Sequence, residues 1–356
     1  MTGLLRSGGD LPLDRRILAR RMTVVLILVL GILAVASAAI GATGTSLWGA
    51  LADLAAGREL ATSERVILFD IRLPRTLMCM TVGAALAVAG AILQGLFRNP
   101  LADPGIVGVS AGASLGAITA IVLGGLLPAT VLAWAGPSLV ALSAFLGAWL
   151  LTLLLYRVST RNGQTSVATM LLAGVAFTAL AMALSGVMVF MANDSQLRDL
   201  TFWNMGSLAG ATWGKLQVTG PVILLALGAA MLLARGLNAL AMGEAVAAHL
   251  GIPVQRTKGA AILCTAVLTG TAVAVSGGIG FIGIIVPHLL RLATGPDHHG
   301  LLPNCALFGA ALLLFADIIA RVIVSPAELP IGIVTALMGT PVFLWILLRR
   351  HAAMGL

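Results

Sequence analysis

The stretch RLPRTLMCMTVGAALAVAGAILQGLFRNPLADPGIVGVSAGASLG, residues 72–116, decides the class of the fold. From Thr76 to Phe97 it carries no charged residue, and as a helix that run covers the roughly 30 Å of hydrocarbon in a bilayer. Arginines bracket it, Arg72 and Arg75 before and Arg98 after. Pro74 can open the helix without losing an intrahelical bond. Glycines recur through the stretch, and in lipid small residues let helix backbones approach closely.

The same pattern extends through the whole chain. Of 356 residues 59% are hydrophobic and 10% charged, with a mean hydropathy of +1.06. An ordinary soluble domain carries about 25% charge, so the fold class is all-α and polytopic. About ten transmembrane helices are expected, near 23–42, 76–95, 105–127, 130–156, 167–192, 213–234, 259–276, 281–294, 303–324 and 331–349. The eighth is short and contains Pro287, as a broken or re-entrant helix buried among others would. Ala36-Ser37-Ala38 resembles a cleavage site, but the apolar run is too long for a signal peptide, and an uncleaved first helix is expected. The expected organisation is a flexible cytoplasmic tail at 1–20, one transmembrane domain at 21–350 and a short cytoplasmic tail at 351–356.

Lys and Arg number 21, and the net charge is +8. They form no basic stripe interleaved with aromatics, so nucleic acid is not an expected partner. With both termini cytoplasmic, fourteen of them fall on the inner side and seven outside, the bias that orients membrane proteins. Cys79, Cys264 and Cys305 lie far apart in apolar runs and read as buried free thiols, with no metal site.

Several residues have both a bland and a sharp reading. Arg72 and Arg75 stand at an outer rim, either snorkelling to the interface or receiving an acidic protein surface. In LFADIIAR, 314–321, Asp317 and Arg321 lie one turn apart. They form a structural ion pair, or Arg321 makes a protein contact, or Asp317 belongs to a proton relay. The inward loop LNALAMGEAVAAHLGI, 237–252, forms a short helix that lies in the interface or docks into another protein. GATWGK at 210–215 fails as a phosphate loop, because its glycine spacing is short and Leu216 stands where Ser or Thr is required. No catalytic constellation is visible, and the chain is expected not to be an enzyme.

Together with GGIGFIGIIVPHLLRLATGPDHHGLLP at 277–303 and AELPIGIVTALMGTPVFLWILL at 327–348, these stretches resemble the iron-siderophore, haem and cobalamin permease family. These FecCD-like proteins are the membrane subunits of type II ABC importers. The resemblance implies a homodimer of ten-helix subunits in the inner membrane and its lipid. It further implies two cytoplasmic ATPase subunits using ATP and Mg, and a periplasmic substrate-binding protein. Arg72, Arg75 and Arg321 match positions that dock the binding protein. Gly243, Glu244, Ala245, His249, Leu250 and Gly251 match the helix that couples to the ATPase, while Pro287 and His288 match a recurrent motif of structural role. The fifth and tenth helices flank the pathway in that family, which makes Met182, Met188 and Met191 candidates for its lining.

NDSQLRDLTFWNMGSLAGATW, 193–213, looks most like haem-transporting members, so haem ranks first as the transported substrate, then ferric siderophores, then cobalamin. No cofactor is expected in the chain itself. All five histidines fall on or near the cytoplasmic side, so no imidazole is expected at the outer entrance to ligate haem iron. The alternative of another class is an ion-coupled secondary transporter. Asp317 and the short eighth segment are the features that favour it.

Overall fold

In the computed structural model of the chain, residues 15–41, 45–105 and 108–354 are described. Most of the expected tail at 1–20 and the end of the one at 351–356 lie outside them; the chain is helical from Arg15, and the last helix runs to Met354. Among the described residues each expected segment holds an apolar helix, and the fourth holds two. Eight helices of the described residues are long and apolar enough to cross a membrane, and two apolar ones are shorter.

Helix α1 (Arg15–Ala39) is followed by a short α2 (Leu47–Ala55) and by α3, continuous from Thr62 to Phe97. Within α3 the turn Val66–Arg72 is widened into a π-helix just before Pro74, which cannot donate to the preceding turn and crowds its carbonyl. Next come α4 (Val109–Leu123), α5 (Ala129–Ala135) and α6 (Leu139–Ser159). The fourth expected segment, 130–156, is thus broken in two, at a turn where Gly136 has φ +44°. The expected third helix begins only at Val109, because Gly108 takes a left-handed conformation. Gly112 and Gly116 pack on α6, while Gly105 and Gly108 lie in the loop before α4.

A two-stranded hairpin, β1 (Thr160–Arg161) and β2 (Gln164–Thr165), joins α6 to α7 (Val167–Met191). Ser166 caps α7, and a reciprocal capping box of Asn193 and Gln196 starts α8 (Asp194–Met205). Then follow α9 (Trp213–Leu232), α10 (Ala234–Ala241), α11 (Glu244–His249) and α12 (Val254–Ser276). The chain ends with α13 (Ile282–Thr294), α14 (His298–Val322) and α15 (Ile331–Met354). Asp297 caps α14 and starts it five residues before the expected boundary, with Pro303 inside the helix.

α3 is the centre of the bundle, with α12, α13 and α14 packed around it. Its most apolar window is 83% buried, against 11% for α1 and 17% for α7, so the outer helices present their faces to lipid or to another chain. Glycines set the closest contacts. A Cβ added at Gly83 would collide with the carbonyl of Gly309 on α14, and one at Gly90 with the carbonyl of Gly283 on α13. The 13 residues of α13 rise about 20 Å, less than a bilayer core. Irregular residues 277–281 complete that passage, enclosed by Trp203, Asn204 and Gly332. Non-helical backbone at this depth is tolerated because protein surrounds it.

These contacts separate two otherwise similar substitutions. Gly90→Ala should lower the melting temperature in detergent, through overpacking of at least about 1–3 kcal/mol. At Gly228 an added Cβ meets nothing within 4 Å. Gly228→Ala on α9 should leave melting unchanged or raise it, since Ala favours helix by up to about 1 kcal/mol. Equal melting temperatures for the two variants would contradict the packing.

Candidate functional site

α1 ends without a basic residue in its last turn, leaving its final carbonyls to be satisfied from elsewhere. Two arginines from other helices do so. Arg72 Nη1 donates to the carbonyls of Ala38 at 2.8 Å and Ala39 at 3.0 Å. Arg321 Nη1 donates to those of Ser37 and Ile40, each at 3.1 Å, and its Nη2 donates to Ser37 Oγ at 2.8 Å. Cations at a helix C-terminus also oppose its dipole favourably.

Asp317 sits between the arginines. Arg75 donates from Nε at 3.1 Å and from Nη2 at 2.9 Å to Asp317 Oδ1. Asp317 Oδ2 lies 3.0 Å from Arg321 Nε, which directs its hydrogen to the main-chain oxygen of Asp317. The second edge of Arg75 forks onto Glu328 Oε1 and Oε2 at 3.0 and 2.8 Å. Arg72, Arg75 and Arg321 are 4%, 6% and 3% exposed and Asp317 is 0%. The expectation that the arginines stand open at a rim is therefore corrected: they lie within the bundle, because α1's carbonyls and two carboxylates need their donors. For Asp317 and Arg321, the ion-pair reading is the one the geometry contains.

The opposite end of the bundle holds α11. Its N-terminal Glu244 accepts from Lys258 Nζ on α12 at 2.7 Å, and the same ammonium donates to the Thr165 carbonyl of β2 at 2.7 Å. Gly243 (φ +116°) and Gly251 (φ +75°) set the sharp entry and exit of α11, at angles that only glycine adopts readily. His249 Nδ1 lies 2.7 Å from the Ala245 carbonyl, while Leu250 and Val246 are exposed. Close by, Asp297 accepts from Asn238 Nδ2 and from the backbone N–H of His299. Partial burial raises the Asp297 carboxyl, but these bonds and the nearby His299 and Arg16 outweigh it and hold the group below its ordinary value.

α7 carries the three candidate methionines. Met182 is 67% exposed, Met191 60%, and Met188 is partly buried. Met182 and Met191, nine residues apart, project from opposite sides of α7, and the three are not gathered with the arginines or with α11. His249, His298 and His299 lie at the α11 end, away from Arg72 and Arg75. Buried Cys79, Cys264 and Cys305 are free thiols.

Sequence reasoning missed Lys258, Gln255 and the hairpin. Lys258 looks in the sequence like one more inner-side charge, yet it is 2% exposed and bonded at two points. The hairpin had a readable signal, the Asn162-Gly163 pair, whose φ angles of 51° and 74° suit a tight two-residue turn.

Residues 26–349 match the model of the FecCD transport family. The chain is similar to the hemin transport system permease protein HmuU of Yersinia pestis, 43% identical over 95% of this chain and 98% of that one. It is also similar to the vitamin B12 import system permease protein BtuC of Klebsiella pneumoniae, 45% identical over 83% of this chain and 86% of that one. Among solved structures, a metal-chelate type ABC transporter in an inward-facing conformation superposes with a TM-score of 0.80. That structure is 33% identical and covers 93% of this chain and 99% of its own.

Asp317→Ala should leave buried Arg321 without its carboxylate and Arg75 with Glu328 alone, at a cost of about 3–5 kcal/mol. The exposed pair Arg58–Asp53 has side chains 65% and 36% exposed. Its loss through Asp53→Ala should cost less than about 1 kcal/mol. Thermal unfolding of the two purified variants in detergent checks this, and equal shifts would contradict the account of the buried cluster.

Proposed function

The chain belongs to the FecCD transport family, and on that premise we propose that it is the transmembrane permease subunit of an ATP-driven importer of haem. The observation that carries the reading is end-to-end similarity: the hemin permease relative is matched over 95% of this chain. The B12 permease relative is matched at similar identity over 83%. Import of cobalamin or a ferric siderophore is therefore the second reading, and coverage together with the 193–213 stretch favours haem.

The importer is a homodimer in the inner membrane, with both termini cytoplasmic. ATP is hydrolysed on separate ATPase subunits seated against α11, and this chain performs no chemistry. Gly243, Glu244, Ala245, His249, Leu250 and Gly251 form that contact. The exposed faces of α7 and α15 meet the second copy along the pathway, where Met182, Met188 and Met191 give haem a soft, weakly binding lining. The substrate-binding protein docks at the end holding Arg72, Arg75 and Arg321. In the free chain these guanidinium groups are engaged internally, so a partner carboxylate exchanges with Glu328, whose side chain is 34% exposed.

Two measurements test this reading. Glu328→Gln should release one edge of Arg75 and tighten binding of the cognate acidic binding protein by about fivefold, roughly 1 kcal/mol, with the gain fading at high salt. Unchanged or weaker binding would contradict docking through Arg75. In the reconstituted complex, the binding protein loaded with haem should stimulate ATP hydrolysis more than the same protein offered ferric siderophore or cobalamin. Haem failing to stimulate would remove it as the cargo.

A further inference from the structure

Besides the packing of Val167, Met170 and Leu171, the start of α7 is tied to α12 by hydrogen bonds at Thr165. Its N–H donates to Gln255 Oε1 at 2.9 Å and its carbonyl accepts from Lys258 Nζ at 2.7 Å. Gln255 and Lys258 lie three residues apart and so project from one face of α12. The clasp is rigid on the hairpin side. Thr165 pairs with Thr160 in the ladder, their hydroxyls lie 2.9 Å apart, and the N–H of Ser166 donates to the Ser159 carbonyl at 3.0 Å. Ser166 is itself the N-cap of α7, so displacement of Thr165 moves the first turn of that helix.

On its other side the same ammonium holds Glu244 Oε2 at 2.7 Å. Lys258 is 3% exposed at its side chain and Glu244 43%. The carboxylate thus stands on the open face of the bundle, while the cation beneath it is enclosed. A buried ammonium is retained only where hydrogen bonds compensate its desolvation. Among the described residues, its bonds are to one atom on α11 and one on β2. If Glu244 is pulled, Lys258 must either follow it and release Thr165 or lose its counter-charge.

We propose that Lys258, assisted by Gln255, is the positioning residue that transmits displacement of α11 to the hairpin at 160–165 and thence to α7. This rests on the reading of α11 as the helix that faces the ATPase, and it adds the route by which that contact reaches the pathway helix. α7 is suited to respond, being among the least buried of the long helices.

The test uses the full complex with its ATPase and binding protein in proteoliposomes, comparing wild type, Lys258→Met, Lys258→Arg and Gln255→Ala. Lys258→Met should keep the ATPase bound and its basal hydrolysis running, while transport per ATP hydrolysed falls about fivefold or more, the scale of a site-to-site coupling energy. Lys258→Arg, which keeps a charged donor, should restore most of the ratio. Gln255→Ala leaves the ion pair intact and should lower the ratio in the same direction, so it decides the matter if Lys258→Met does not assemble. A maleimide applied to Asn162→Cys should label at a nucleotide-dependent rate in wild type and at a nucleotide-independent rate in Lys258→Met. The proposal is overturned if Gln255→Ala leaves the ratio unchanged, or if an assembled Lys258→Met complex keeps the ratio. Failure of the wild-type chain to retain any ATPase would overturn the reading of α11 itself, a distinct result.

Discussion

α3 can occupy the centre of this bundle only because Gly83 and Gly90 leave room for the carbonyls of Gly309 and Gly283 against its backbone. In lipid no hydrophobic effect drives one helix onto another, so close van der Waals contact is the chief attraction available. The remaining helices take their places from this one. α14 and α13 touch α3 backbone to backbone, α12 fills the third side, and α1 closes over α14. The irregular passage before α13 follows from the same constraint, since Gly277, Gly278 and Gly332 admit neighbouring carbonyls where side chains would force the segments apart.

Two clusters of charge lie towards opposite ends of the bundle, and each joins elements distant in sequence. At one end Asp317 unites α3 with α14, and two arginines finish the C-terminus of α1. At the other, Lys258 unites α11, α12 and the hairpin. Both clusters are enclosed cations facing partly exposed carboxylates, Glu328 in one case and Glu244 in the other. An approaching protein therefore meets an acid first, and the cation behind it changes partner only if the acid is displaced. This arrangement suits a transporter that must respond at both faces while its core stays fixed.

Much of the fold was legible because hydrophobic run length is a direct reading of membrane thickness. All ten expected segments correspond to apolar helices, including the short one at Pro287. The break at Gly136 was hidden because an apolar composition continues across it. The late start of α4 at Val109 depends on a backbone angle at Gly108, which composition does not report. The site was less legible. Arg72 and Arg75 were recognisable as special, but their partners lie elsewhere in the chain. Asp317 and Glu328 are 242 and 253 residues beyond Arg75, and no local pattern announces such a pair. A single lysine at the start of a helix gives no sign that it will be buried. The hairpin, by contrast, had its signal in Asn162-Gly163, and the long apolar helices around it drew the reading elsewhere.

The central claim is that transport is driven by ATP hydrolysed on a partner, with this chain as the conduit. It is tested most directly by haem uptake into proteoliposomes carrying the chain, its ATPase and external binding protein, with ATP enclosed. The account predicts accumulation that stops with vanadate and is indifferent to a protonophore. Accumulation that persists without ATP, or that collapses with the proton gradient while ATP is present, would contradict it.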